Sequence, residues 1–246
     1  MAWNIFPLWA GIVMLIAATA ATWASIKKER SIVAIVTMLI AILGMGGFIA
    51  MLWATLGRPP MRTMGETRLW YSFFILVAGL FTYARWKYRW IMLFSTVLAG
   101  VFIIINIARP EIHDQTLMPA LQSVWFVPHV SIYMFSYSLL GCATLLSVVA
   151  LVRKSTDMDR AIERLLYAGL AFLTTGMLTG ALWAKEAWGA YWSWDAKEAW
   201  AAATWALYLE CFFPSSLLKI HCFSITTRFK LQRLHFSISF QALPQA

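Results

Sequence analysis

The sequence predicts an all-α, polytopic transmembrane bundle of about seven spans with its N-terminus outside, and three observations predict it. Of the 246 residues, 61% are hydrophobic and only 13% charged, at a mean hydropathy of +0.69; a soluble domain of this size carries roughly twice that charge. The apolar stretches run for about 15 to 25 residues, the reach of a membrane helix and too long for barrel strands. Lys and Arg, finally, are shared unequally between alternate loops.

The spans follow in order at approximately 4–26, 32–56, 70–84, 90–108, 130–152, 165–184 and 197–213, the third and seventh being short. Backbone groups in lipid must be paired within their own segment, which favours helices throughout. Lys27, Lys28 and Arg30 come after the first apolar run, an order that indicates a retained helix and not a cleaved signal peptide. Pro214 is expected to end the seventh helix, because proline lacks a backbone donor and clashes with the preceding turn. Residues 1–213 thus read as one transmembrane domain. Residues 214–246 are polar and basic and contain no run long enough to span.

Orientation follows from the basic residues. One side receives Lys27, Lys28, Arg30, Arg85, Lys87, Arg89, Arg153, Lys154, Arg160, Arg164 and the tail residues Lys219, Arg228, Lys230 and Arg233. The other receives only Arg58, Arg62, Arg68, Arg109, Lys185 and Lys197. The richer side is the inner one. The net charge of +9 therefore reads as topology in a lipid bilayer, not as a nucleic-acid surface. The three cysteines, Cys142, Cys211 and Cys222, form no C-x-x-C pair, so neither a dithiol centre nor covalent haem attachment to this chain is indicated. Cys142 falls inside a span and reads as a small core residue.

The outer segment "AKEAWGAYWSWDAKEAW", residues 184–200, is the densest feature. With Trp183 it holds Trp188, Trp192, Trp194 and Trp200, five of the chain's 14 tryptophans in 18 residues. An interfacial belt explains one or two tryptophans at a helix end; a platform for a planar apolar ligand explains the cluster. Both readings stand on sequence alone. Trp188 and Trp192 would share a face if the segment is helical, and Tyr191 widens it. Asp195 and Glu198 have the spacing of a capping box that starts the seventh helix.

His129 sits at the outer mouth of the fifth span, on the side of the tryptophans. An imidazole there serves either as interfacial polarity or as an iron ligand. His113, beside Glu111 and Asp114 in the same outer loop, reads as solvent-exposed polarity. Arg58, Arg62 and Arg68, in "GRPPMRTMGETRLW", put three cations on the side that should be poor in them. An anionic partner such as a carboxylate suits arginine's planar fork; a tolerated topological compromise is the alternative.

"WAKEAWGAYWSWDAKEAWAAATW" resembles the tryptophan-rich signature, or WWD domain, of cytochrome c assembly membrane proteins. The likeness is to the CcsA type (system II) more than to the haem-export and haem-lyase members of system I. "LMPALQSVWFVPHVSIYMFSY" is similar to that family's outer-loop histidine and following helix, and "GRPPMRTMGETRLWYSFFI" to the loop before a mid-chain helix. The resemblance covers roughly residues 30–209. It implies a haem-handling protein of the membrane, expected in a bacterial inner membrane, that holds haem b transiently and non-covalently on the outer face. Its expected partners are apocytochrome c with a C-x-x-C-H motif, a companion membrane subunit and a thiol-reducing thioredoxin-like protein. By the same resemblance Trp183, Trp188, Tyr191, Trp192, Trp194 and Asp195 form the haem platform and His129 is an axial ligand. Arg58, Arg62, Arg68, Lys185 and Lys197 are the candidate propionate contacts, a reading from charge.

The sequence departs from the family pattern after about Leu209. The stretch "ECFFPSS" lacks the histidine expected there, and His221 and His235 lie in the basic tail. The expectation is a truncated or frame-shifted C-terminus, which leaves open whether the chain acts within a haem synthase. A haem permease component and a membrane scaffold without haem remain as alternative functions.

Overall fold

The computed structural model describes residues 2–26, 31–109, 123–154 and 157–212. These form seven helices and no strand: α1 (Ala2–Ile26), α2 (Ile32–Leu56), α3 (Met64–Trp86), α4 (Arg89–Ala108), α5 (Phe126–Arg153), α6 (Asp159–Trp188) and α7 (Ala196–Phe212). By length and composition α1, α2, α4, α5 and α6 can each cross a membrane. The third helix is longer than its apolar stretch suggests. Its first turns carry Glu66 and Arg68, and its last turn carries Arg85. The tail from 213 onward, with Pro214, His221 and His235, and the loop holding His113 lie outside the described residues.

The first four helices pack as antiparallel neighbours through small residues. Ala10, Ala17, Ala20, Ala21 and Ala24 are buried on one face of α1, and such residues let apolar helices approach closely without a hydrophobic force to drive them. Trp9 Nε1 donates to the Gly44 carbonyl of α2 at 2.9 Å. Between α3 and α4, Ser72 Oγ reaches Ala99 O at 3.3 Å, and Asn106 Nδ2 reaches Gly65 O at 3.0 Å. Gly79 is required here. A Cβ at that position would lie 2.2 Å from Ser95 Oγ.

The loop between α2 and α3 is held by one buried carboxylate. Gly57, at φ 63°, ends α2, and Thr63 with Glu66 forms a reciprocal capping box that starts α3. Glu66 is fully buried. Its oxygens accept from both Arg58 guanidinium nitrogens at 3.0 Å, from the Arg62 amide at 2.8 Å and from the Thr63 amide at 3.1 Å. A buried ion pair of this kind is tolerable because both its charge and its lone pairs are met. Trp70 Nε1 donates to Pro60 O, and Ser131 Oγ of α5 to Met61 Sδ. The loop is thereby seated against the first turns of α5.

α5 and α6 form the closest pair. Ser136 Oγ donates to Gly169 O at 2.7 Å, and the side chains of Leu140 and Tyr133 fill the space left by the missing Cβ atoms of Gly169 and Gly176. Cys142 is buried at 6% exposure, a core residue as its position in the sequence suggests. α7 joins this pair through Trp205 Nε1 to Thr174 Oγ1 and a hydrogen bond between Tyr208 and Thr144.

Candidate functional site

The site is built where the start of α5 meets the end of α6. His129 occupies the first turn of α5, and its Nδ1 lies 2.8 Å from the carbonyl oxygen of Gly176. A carbonyl only accepts, so Nδ1 carries the proton and Nε2 presents a lone pair. Metal-ligating histidines are commonly fixed in this way, with the second ring nitrogen donating to a backbone oxygen. Two rings pack against the imidazole. Trp183 stacks on it at 5.6 Å with planes 13° apart, and Tyr133 packs against it at 4.8 Å, tilted by 55°. Gly180 supplies the space, since a Cβ there would stand 2.6 Å from His129 Cε1.

Trp183 continues the aromatic surface to Trp188, centroids 4.6 Å apart, and to Phe126 at 5.6 Å. Trp183, Lys185 and Trp188 belong to α6 and not to a linker, because the helix runs without a breaker to Gly189. Gly189, at φ 84°, is the left-handed cap that stops it. The segment beyond is non-helical from Ala190 to Asp195, so Trp188 and Trp192 do not share a helical face. Trp192 instead packs edge-on against Trp194 at 5.5 Å. Trp188, Tyr191 and Trp194 are 55%, 56% and 72% exposed, which leaves their rings available. Trp192 Nε1 is buried with no hydrogen-bond partner among the described residues.

Asp195 caps α7 as its spacing suggests. Its Oδ1 accepts from the Glu198 amide at 2.7 Å, and Glu198 Oε2 accepts from the Asp195 amide at 3.4 Å and the Ser193 amide at 2.7 Å. The two ends of the site are tied together by Ser123, whose hydroxyl donates to Glu186 at 2.5 Å.

The five candidate cations are placed differently from one another. Arg58 is committed to Glu66. Lys185 donates to Gly189 O at 2.8 Å and lies over the Tyr191 ring at 5.3 Å. Arg62 and Arg68 are half-buried, and Arg68 Nη1 has no partner among the described residues. Lys197 is exposed on the first turn of α7.

Sequence reasoning did not single out Glu66, Tyr133, Gly176 or Gly180. The Thr63-x-x-Glu66 spacing signals the first, and the four-residue step from His129 the second. The two glycines act on α5 from another helix and carry no local signal.

The site thus combines exposed aromatic rings set edge-on or tilted to one another, an imidazole with one nitrogen open and an indole donor without a partner among the described residues, groups that suit an apolar, metal-bearing ligand with polar substituents. The sequence matches the family described as Cytochrome C assembly protein over residues 5–221. A protein of Chlamydomonas reinhardtii named cytochrome c biogenesis protein CcsA is 38% identical over 131 residues, 47% of this chain and 37% of that protein. The proteins of the same name from Cuscuta exaltata and Oenothera argillicola are 32% and 29% identical. The first match covers 70% of each chain, and the second 66% of this chain and 67% of the other. This chain therefore spans little more than a third of the algal relative's length in that match, and about two thirds of the plant ones. With most of its length inside the family match, the chain belongs to the cytochrome c assembly protein family, as a CcsA-type member.

Proposed function

We propose that this chain acts in cytochrome c biogenesis by holding haem on the surface formed by His129 and the tryptophan-rich segment, and by presenting it to apocytochrome c. The observation that carries this reading is the Nδ1 bond from His129 to Gly176 O, at 2.8 Å. It fixes the tautomer that leaves Nε2 basic and aims the ring from a packed position, which is how a protein prepares a ligand for iron. Trp183 and Tyr133 prevent ring rotation. Trp188, Tyr191 and Trp194 offer apolar area with few rotatable bonds. Trp192 Nε1 is a donor for a propionate, and Arg62, Arg68 and Lys197 are the cations of the set whose side chains make no hydrogen bond or ion pair among the described residues. Haem, when bound, supplies the iron and the vinyl groups to which substrate thiols add; the chain's task is orientation and iron ligation.

The positive-inside reading puts this surface on the outer face of an integral membrane protein, expected in a bacterial inner membrane. Apocytochrome c, a companion membrane subunit and a thiol-reducing thioredoxin-like protein are the partners such a task requires.

A haem permease would need polar groups free to line a path through the spans. Ser136 donates to Gly169 O, Thr174 and Thr175 bond back to their own helix, and Asn106 Nδ2 is held by Gly65 O. Asn106 Oδ1 is buried without a partner among the described residues; the other groups are engaged in helix packing, which favours presentation over passage.

The test is the visible spectrum of the purified protein. A Soret band that His129→Ala weakens, and that added imidazole restores, supports the reading. A colourless preparation from haem-replete cells leaves a scaffold with an interfacial aromatic belt.

A further inference from the structure

We propose a second site, for the phosphate head group of an anionic phospholipid, at the end of the bundle opposite His129. There the C-terminus of α3, Asp157 and the first two turns of α6 border a cavity of about 510 Å³ lined by Arg85, Trp86, Asp157, Arg160 and Arg164. Arg160 and Arg164 stand one helical turn apart on one side of α6, and neither has an ion-pair partner among the described residues. Arg85 faces them from α3, its guanidinium 5.6 Å from the centroid of the Trp86 ring. Three guanidinium groups against one carboxylate give the cavity a net positive lining, and arginine's fork matches phosphate oxygens.

The surface next to this cavity is apolar, which selects a lipid over a free anion. Phe81, one turn before Arg85, is 53% exposed and packs edge-on against Trp86 at 6.0 Å. On α6 the four-residue steps from Arg160 and Arg164 lead through Ala168 to Phe172, which is 40% exposed. Phe172 meets Phe135 of α5 at 4.9 Å, and Phe135 meets Phe74 of α3 at 5.8 Å. The arginines therefore cap an apolar track that runs over α5 between α3 and α6. A cation cluster at one end of a hydrocarbon-facing track has the polarity of a phospholipid. Basic pockets between membrane helices on the inner side bind such head groups. Trp86 is the interfacial ring that marks the boundary. Asp157 suits a hydroxyl of a glycerol head.

The experiment uses the full chain reconstituted in vesicles of phosphatidylcholine with or without phosphatidylglycerol, then extracted and weighed by native mass spectrometry. Phosphatidylglycerol is expected to remain bound in preference to phosphatidylcholine. Arg160→Gln with Arg164→Gln should reduce its retention roughly thirtyfold, the loss of two charge-assisted guanidinium–phosphate contacts made only inside the cavity. The control pair Arg153→Gln and Lys154→Gln removes two charges at the same membrane side but outside the cavity, and should leave retention within about twofold of the parent. Equal losses in both pairs would mean diffuse surface attraction and would overturn the site. Equal retention of the two lipids would overturn the anionic head group, and full displacement by inorganic phosphate would overturn the lipid. Should the double variant fail to fold, Arg160→Gln and Arg164→Gln are measured singly, each expected to lose roughly fivefold through its one guanidinium–phosphate contact. No haem is needed, so the outcome is independent of the proposal for His129.

Discussion

A Cβ placed on Gly180 would lie 2.6 Å from Cε1 of His129 and 2.7 Å from its Nδ1. Glycine at 180 is thus what permits the imidazole to sit between α5 and α6. Gly180→Ala is expected to push the ring off Gly176 O, although alanine is the better helix former by about 1 kcal/mol. Haem retention, read as Soret absorbance per chain, should fall about tenfold or more, while helical circular dichroism stays near the parent's. Gly141→Ala meets nothing within 4 Å and should leave the spectrum unchanged. Equal spectra in the two variants would separate Gly180 from ligand placement.

The second prediction concerns the α2–α3 loop. Glu66 is fully buried and accepts from Arg58 and from the amides of Arg62 and Thr63. Glu66→Ala leaves two amides without an acceptor and the Arg58 guanidinium with only the Pro59 carbonyl at 3.2 Å, and should cost about 3–5 kcal/mol, the range for breaking a buried pair. Arg58→Ala should also destabilise strongly, for the converse reason. Thermal unfolding in detergent reads both. If Arg58→Ala instead leaves the melting temperature unchanged and lowers haem content alone, Arg58 serves the ligand directly and the ion pair with Glu66 is incidental.

Much of the bundle is legible because membrane physics writes it in apolar length, and the start of α7 is legible because Asp195 and Glu198 carry a cap in their spacing. The ends of α3 and α6 are less so. α3 begins with charged residues that an apolar count discards, yet Thr63 and Glu66 nucleate it through the capping box. α6 continues to Trp188 because nothing before Gly189 stops it. For the site, tryptophan density and a mouth-of-helix histidine mark the region but not its assembly. The carbonyl that orients His129 belongs to Gly176 and the ring that stacks on it to Trp183; both lie on another helix, so the contact is a product of packing. Arg58 shows the opposite failure. Its partner is Glu66, eight residues away and in plain view, but a lone charge count treats it as free.

Asp195 offers a test of two roles. Its Oδ1 caps α7 by accepting from Glu198 N at 2.7 Å. Asn preserves that acceptor, while Ala removes it at about 1 kcal/mol. If capping is the whole role, Asp195→Asn should match the parent in both stability and haem content, and Asp195→Ala should lower stability alone. A loss of haem in the Asn variant with unchanged melting temperature would assign the carboxylate charge to the ligand.

Trp194 is held at φ 58°, in the left-handed region that a bulky side chain rarely adopts, and its ring is 72% exposed. Such a residue costs about 1–2 kcal/mol relative to glycine. The ring gains little in return from its own chain, since its one described ring contact is the edge of Trp192 at 5.5 Å. A strained backbone that displays an exposed indole makes sense if the indole meets a ligand. Trp194→Gly should therefore raise stability by about 1 kcal/mol, seen as a higher melting temperature of the haem-free protein, and at the same time weaken haem retention severalfold. Trp194→Ala keeps the strain and loses the ring, so it should weaken retention without the gain in stability. The pair separates the two effects. If Trp194→Gly stabilises the protein and retains haem as well as the parent, the loop's conformation is not maintained for the ligand, and the platform must be assigned to Trp183 and Trp188 alone.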